Sequence, residues 1–202
     1  MTFDGSPRTR VFTLISVASI LVVSSAAAHV LAASIFPRNV HDVGRGPHDV
    51  TLCDMNGDGN LDLAVANEND NDLTILLNNG AGVFAALAAQ PRTGRAPFSI
   101  VSGQFNDYNG DTSIDDADHL DLAVANFGGS EVAILENNGT GTFIDVEATI
   151  GLAGATALAS GDWDDDGDLD LAVANFTASS VAVLKNDPIG NFTLEVTIGG
   201  QT

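Results

Sequence analysis

Apolar positions along this chain come in short runs. Leu61-Asp62-Leu63-Ala64-Val65-Ala66 is one, Leu73-Thr74-Ile75-Leu76-Leu77 a second and Phe98-Ser99-Ile100-Val101-Ser102 another. Gly, Asn or Asp closes each run before a helix-length amphipathic period can build up, so the pattern predicts strands. Asn78-Asn79-Gly80 follows the second run and offers residues that tolerate positive φ, as a hairpin turn requires. Val83-Phe84 then opens a further strand. The exception is N-terminal. Arg8 and Arg10 precede an apolar stretch from Val11 to Val23, and Ser24-Ser25-Ala26-Ala27-Ala28 follows. That order predicts a secretory signal peptide over residues 1–33. The stretch is shorter than the roughly 20 residues that cross a bilayer, so an exported chain without a membrane span after cleavage is expected.

The remaining pattern repeats. Asp62-Leu63-Ala64-Val65-Ala66-Asn67 recurs as Asp121–Asn126 and as Asp170–Asn175. Behind each copy, a turn residue stands at Asn78, Asn137 and Asn186, and a phenylalanine at Phe84, Phe143 and Phe192, in constant register. Such self-similarity marks a repeat architecture. Each unit carries four short strands, the content of one propeller blade. The units are expected at about 44–90, 91–145 and 146–202, within residues 34–202.

Composition narrows the function classes. The chain has 27 acidic against 7 basic side chains and a formal charge of −20. Nothing here can neutralise a run of phosphates, which excludes a nucleic-acid partner. Apolar residues make up 45 %, enough for a core. The single cysteine, Cys53, rules out an intrachain disulfide and is expected to be a small buried residue. Twenty-one glycines, with abundant Asp and Asn, suit the turns of an all-β chain. The histidines His29, His41, His48 and His119 lie in no nucleophile-elbow or metalloprotease setting. Most acidic residues fall in three loops rather than in an acid–base pair. A non-enzyme is expected.

Those loops carry the chemistry. Asp54-Met55-Asn56-Gly57-Asp58-Gly59-Asn60-Leu61-Asp62 and Asp162-Trp163-Asp164-Asp165-Asp166-Gly167-Asp168-Leu169-Asp170 both fit D-x-[DN]-x-[DN]-G-x-x-D. Oxygen donors at positions 1, 3 and 5 can wrap a hard cation, and Gly at position 6 turns the carbonyl of position 7 inward. The expected calcium ligands are the side chains of Asp54, Asn56, Asp58 and Asp62 with the Asn60 carbonyl. In the third unit they are Asp162, Asp164, Asp166 and Asp170 with the Asp168 carbonyl. Position 12 is Val65 or Val173 instead of an acid, so these are not EF-hands. Zinc would require His or Cys, absent from both loops. Magnesium suits them less well, since it demands a stricter octahedron.

The second unit departs. Gln104 occupies position 1, and Asp121 follows only after an insertion. Inside it, Asp107, Asn109, Asp111, Ser113, Asp115 and Asp118 are spaced like a calcium loop of EF-hand or dockerin type. Thr112 stands where glycine is usual and Asp118 where a bidentate Glu is usual, which predicts weaker binding than in the other loops. Trp163, Phe127 and Phe176 are expected to pack between blades.

The acidic loop, the Asp-Leu-Ala-Val-Ala-Asn strand, the Asn-Asn-Gly turn and the following Phe together resemble FG-GAP/VCBS repeats, with Phe127-Gly128 and Gly94-Arg95-Ala96-Pro97 as pieces of the name's motif. The resemblance covers roughly residues 44–195. It implies blades of an integrin α-subunit-like β-propeller whose loops bind Ca2+ and which serve adhesion or recognition of a protein or glycan. The alternative it implies is the non-catalytic propeller part of an exported polysaccharide-degrading enzyme. Three blades are fewer than the usual four to eight. Val196-Thr197-Ile198-Gly199 matches Ala148-Thr149-Ile150-Gly151, which leads into the third unit, so the chain is expected to stop where another blade would begin. Either missing blades of a longer protein or self-association would then close the ring, the fragment being the preferred reading.

Overall fold

The computed structural model describes residues 40–106 and 119–199, and for 145–149 the backbone alone. The expected signal peptide lies outside the described residues, as do Asp107, Asn109, Asp111, Ser113, Asp115 and Asp118 of the inserted loop. His41–Thr202 form one compact unit.

The described residues form strands and no helix. The first sheet contains β1 (Pro47–Cys53), β2 (Asp62–Asn67), β3 (Asp72–Asn78) and β4 (Phe84–Ala86). The second contains β5 (Pro97–Gly103), β6 (Asp121–Asn126), β7 (Glu131–Asn137) and β8 (Phe143–Gly151). The third contains β9 (Ala155–Gly161), β10 (Asp170–Asn175), β11 (Ser180–Lys185) and β12 (Thr193–Gly199). Each sheet is an antiparallel meander in sequence order. This is the partial all-β propeller predicted from the repeats. The run Ala148–Gly151 ends β8 and so belongs to the second sheet.

The repeated Asp-Leu-Ala-Val-Ala-Asn is the second strand of every sheet, and side-chain alternation explains how the sheets stack. Ala64 and Ala66 share a core with Leu122 and Val124 of the second sheet. Ala123 and Ala125 share the next core with Leu171 and Val173 of the third. Each blade therefore turns a forward face of alanines toward the next, and a rear face of Leu and Val toward the one before. Small against large lets the sheets interdigitate at close packing. In β6 both faces are covered and all six residues are buried.

One local expectation changes. The β3–β4 turn takes its positive φ at Gly80 (76°) and Gly82 (74°), while Asn78 and Asn79 stay on the ordinary side of the map. Asn79 N–H closes the turn onto the Val83 carbonyl at 3.1 Å. The connection is thus a longer turn with two glycine positions rather than a two-residue Asn-Gly hairpin.

Cys53 is buried, as expected, and burial pushes its thiol up to about 11. It is therefore an inert thiol at neutral pH. Trp163, expected between blades, is half exposed.

Candidate metal centres

Each acidic loop joins the first strand of a sheet to its second. In the first loop, Asp54 organises the backbone around itself. Its Oδ1 accepts from Gly57 N (2.9 Å) and Asp58 N (3.2 Å), and its Oδ2 accepts from Gly59 N (2.7 Å). Asn56 Oδ1 accepts from Asp58 N at 3.1 Å, and Asp58 Oδ1 accepts from Asn60 N at 2.9 Å. The Asn60 amide first, then the Asn60 and Asn56 side-chain donors, hold the Asp58 carboxyl below its ordinary range. The third loop repeats the plan. Asp162 accepts from Asp166 N (3.2 Å) and Gly167 N (3.0 Å), and Asp166 accepts from Asp168 N (3.1 Å).

Asp162, Asp164 and Asp166 each place a carboxylate oxygen within 4.8 Å of the others, the arrangement that can hold a metal ion. Asp168 turns its side chain inward, whereas its carbonyl was the expected donor. The side chain is buried and Oδ2 has no hydrogen-bond partner. Burial, then Asp166, Asp187, Asp162 and Asp170, raises its carboxyl above the ordinary range. An orphaned buried oxygen beside three clustered carboxylates fits a hard divalent cation of the calcium type, which would neutralise them and complete the polar satisfaction of the site. Lys185 Nζ pairs with Asp164 and, at 3.1 Å, with Asp166. The chain's single lysine thus touches two of the expected ligands. Leu77 and Glu136 hold the corresponding positions in the other sheets.

The ninth loop residue plays a different part. Asp62 Oδ2 accepts from Met55 N (3.0 Å) and its Oδ1 from Asn78 N (2.7 Å). Asp121 takes Phe105 N (3.2 Å) and Asn137 N (2.8 Å) in the same way. Asp170 takes Trp163 N (3.1 Å) and Asn186 N (2.9 Å). All three are buried. Each clasps the start of its loop to the outer hairpin turn, and Asp170 does not join the carboxylate cluster. For Asp121, burial outweighs the backbone donors and pushes the carboxyl up to about 7.

A second linkage joins neighbouring blades. Asn137 Nδ2 donates to the Met55 carbonyl of the first sheet at 2.8 Å, and Asn186 Nδ2 donates to the Phe105 carbonyl of the second at 3.1 Å. The turn asparagine of one blade therefore caps the loop of the blade before it, where Met55 and Phe105 are fully buried.

The opposite ends of the sheets carry rings. His48 stacks on Phe98 with centroids 4.0 Å apart, Phe98 lies 5.0 Å from Phe127, and Phe127 lies 6.4 Å from Phe176. This row crosses all three sheets, with Phe176 strongly exposed. Phe127 does pack as expected, but within a surface row. Phe176 lies at the exposed end of that row.

Residues 54–116 and 114–173 match the FG-GAP-like repeat family. Among solved structures, the chain is similar to a functionally unknown protein from Desulfotomaculum acetoxidans DSM 771, at 17 % identity and a TM-score of 0.56, over 77 % of this chain and 43 % of that one. This likeness supports the fold. The chain thus spans less than half the length of that protein. It is also similar, at 16 % identity and a TM-score of 0.36, to BBS1N solved in complex with ARL6DN and soaked with lead, over 79 % of this chain and 57 % of that one. No curated protein matches.

Proposed function

The chain belongs to the FG-GAP-like repeat family, and from that premise we propose that it is an exported, calcium-binding propeller module for adhesion or for recognition of a protein or glycan, without catalytic activity. The observation that carries this reading is the chemical division between the two ends of its sheets. One end gathers carboxylates around short loops; the other presents a row of rings. Among the described residues, the loop carboxylates cluster with one another or hold backbone amides, an arrangement that suits a cation better than acid–base turnover. Calcium, when bound, supplies the counter-charge that keeps each loop closed. Rings on a rigid sheet edge suit the apolar face of a sugar or an aromatic or aliphatic side chain of a protein.

The chain should bind calcium with terbium as a competing probe, and Trp163, at the second position of the third loop, should sensitise terbium emission there. On an array of glycans and matrix proteins, binding should require calcium and fall at least tenfold in Phe176→Ala. Binding unaffected by Phe176→Ala would remove the ring row from this reading. Turnover on polysaccharide substrates would remove the non-enzymatic assignment.

A further inference from the structure

Resting on the reading of the ring row as a recognition surface, we propose that Arg95 forms a carboxylate subsite beside that row, whose ligand is an aspartate or glutamate side chain of a partner protein. The repeat itself supplies the comparison. Arg45, the corresponding residue of the first sheet, is occupied from within the chain. Asp70 Oδ2 accepts from Arg45 N at 2.6 Å, and Asp70 Oδ1 accepts from Arg45 Nε at 2.7 Å and pairs with Nη2 at 2.6 Å. The Arg45 amide first, then its guanidinium, hold the Asp70 carboxyl below its ordinary range. The main chain of the second sheet follows the same course: Phe127 N donates to the Ala96 carbonyl at 2.9 Å, as Glu68 N does to Gly46 at 2.8 Å. Gly129, however, stands where Asp70 does. The acid is gone and the arginine remains. The Arg95 side chain is exposed, and neither its guanidinium nor Arg95 N has a hydrogen bond or ion pair among the described residues. In the third sheet Ala153 and Ala178 take the two places.

The surroundings suit such a ligand. Gly129 N donates to the Arg95 carbonyl at 3.0 Å, so the turn that carries Phe127 is bonded to the arginine's own turn. Phe98, three residues after Arg95, has its ring centroid 5.0 Å from that of Phe127. The polar network beneath is closed in the first sheet and open in the second. Asn67 Nδ2 donates to Asp72 Oδ1 and to Thr74 Oγ1, each at 2.9 Å. Asn126 is fully buried against Gly94, and neither of its amide atoms has a partner. Glu131, in the place of Asp72, turns Oε1 against Gly94 and Gly129, so its charge opposes a second carboxylate there and lowers the affinity. The middle sheet has a neighbour on each face, and this corner is complete within the chain. A guanidinium takes one carboxylate in planar, two-point geometry, and rings beside it take an apolar or aromatic side chain. A polyuronide brings a run of carboxylates, which a net charge of −20 repels. One acid among apolar side chains matches one arginine among rings, and Asp70 shows the bound form.

The test titrates the whole isotope-labelled chain, in calcium, with acetyl-Phe-Asp-Phe-amide and with its uncharged match acetyl-Phe-Asn-Phe-amide, following the Arg95 amide and Nε–H resonances by NMR. The aspartyl peptide should move both resonances and bind at least tenfold more tightly than the asparaginyl one. Arg95→Gln, at an exposed position, should remove that preference. Gly129→Asp should remove it as well, by rebuilding the pair of the first sheet; a Cβ there meets first the mobile end of Glu131 at 2.9 Å, so the variant should fold. Arg95 resonances that stay still up to millimolar peptide overturn the proposal. So does equal binding of the two peptides, or an undiminished preference in folded Arg95→Gln or Gly129→Asp. Tri-galacturonate binding at Arg95 more tightly than the aspartyl peptide overturns the protein ligand. Any of these failures together with array binding that still depends on Phe176 strikes the arginine subsite alone, whereas loss of that dependence strikes the ring row.

Discussion

At the residue scale, loop chemistry divides between candidate ligands and clasps. Alternating acids and amides around a glycine made positions 1, 3 and 5 stand out, and in the third loop Asp162, Asp164 and Asp166 do lie together. The ninth position was harder to read, because spacing alone does not tell an outward carboxylate from one held between two backbone amides. Asp121→Ala strands the Phe105 and Asn137 amides, and should cost about 2–3 kcal/mol in denaturant unfolding. The same carboxyl gives a pH signature. It holds its proton in the folded chain up to about pH 7, whereas an unfolded aspartate releases it near about pH 4. Its contribution to stability is therefore greatest below the unfolded value and is lost as pH rises to the folded one. Asp121→Asn should abolish that part of the slope. Lys185 gives another test. It pairs with Asp164 and Asp166, so Lys185→Leu, the residue of the first blade, should tighten calcium or terbium at the third loop several-fold. Unchanged titrations would show that the ammonium does not compete there.

At the scale of the element, strands and their repeats were readable from run length and register, while the turns were only half readable. Position 4 of the acidic loop takes a left-handed backbone at Gly57 (φ 72°) and also at Asp165 (φ 61°). The comparison of the two loops contained that clue, since only one of them has glycine. The entry to each sheet shows a related compensation. Gly46 and Gly154 have φ of 68° and 74°, and a Cβ there would strike Asn69 or Thr177. Ala96 holds the same conformation at φ 51°, and opposite it stands Gly128, which leaves room for the methyl. Ala96→Gly should relieve the left-handed alanine and stabilise the chain by about 1 kcal/mol. Gly128→Asn should be destabilising alone and better tolerated with Ala96→Gly. Additive effects in that double-mutant cycle would refute the coupling.

For the whole molecule, alanine faces against Leu and Val faces build two cores from one repeated strand. The stacking was implicit in Asp-Leu-Ala-Val-Ala-Asn, whose alternation sorts small from large. What the sequence could not display was which blade's carbonyl each turn asparagine would cap, because that partner lies about eighty residues away. The net charge of −20 sets the energetic problem at this scale: clustered carboxylates repel, and under the proposed function a cation at each loop would convert that repulsion into closure. At a free calcium concentration a hundred times Kd, each site adds about 2.7 kcal/mol, or roughly 5–10 °C in Tm. The most direct measurement is therefore a thermal melt of the whole chain in saturating calcium and in excess EGTA, repeated on Asp166→Ala. Tm should rise clearly with calcium and less in the variant; identical melting curves with and without the ion would contradict closure of the loops by a cation.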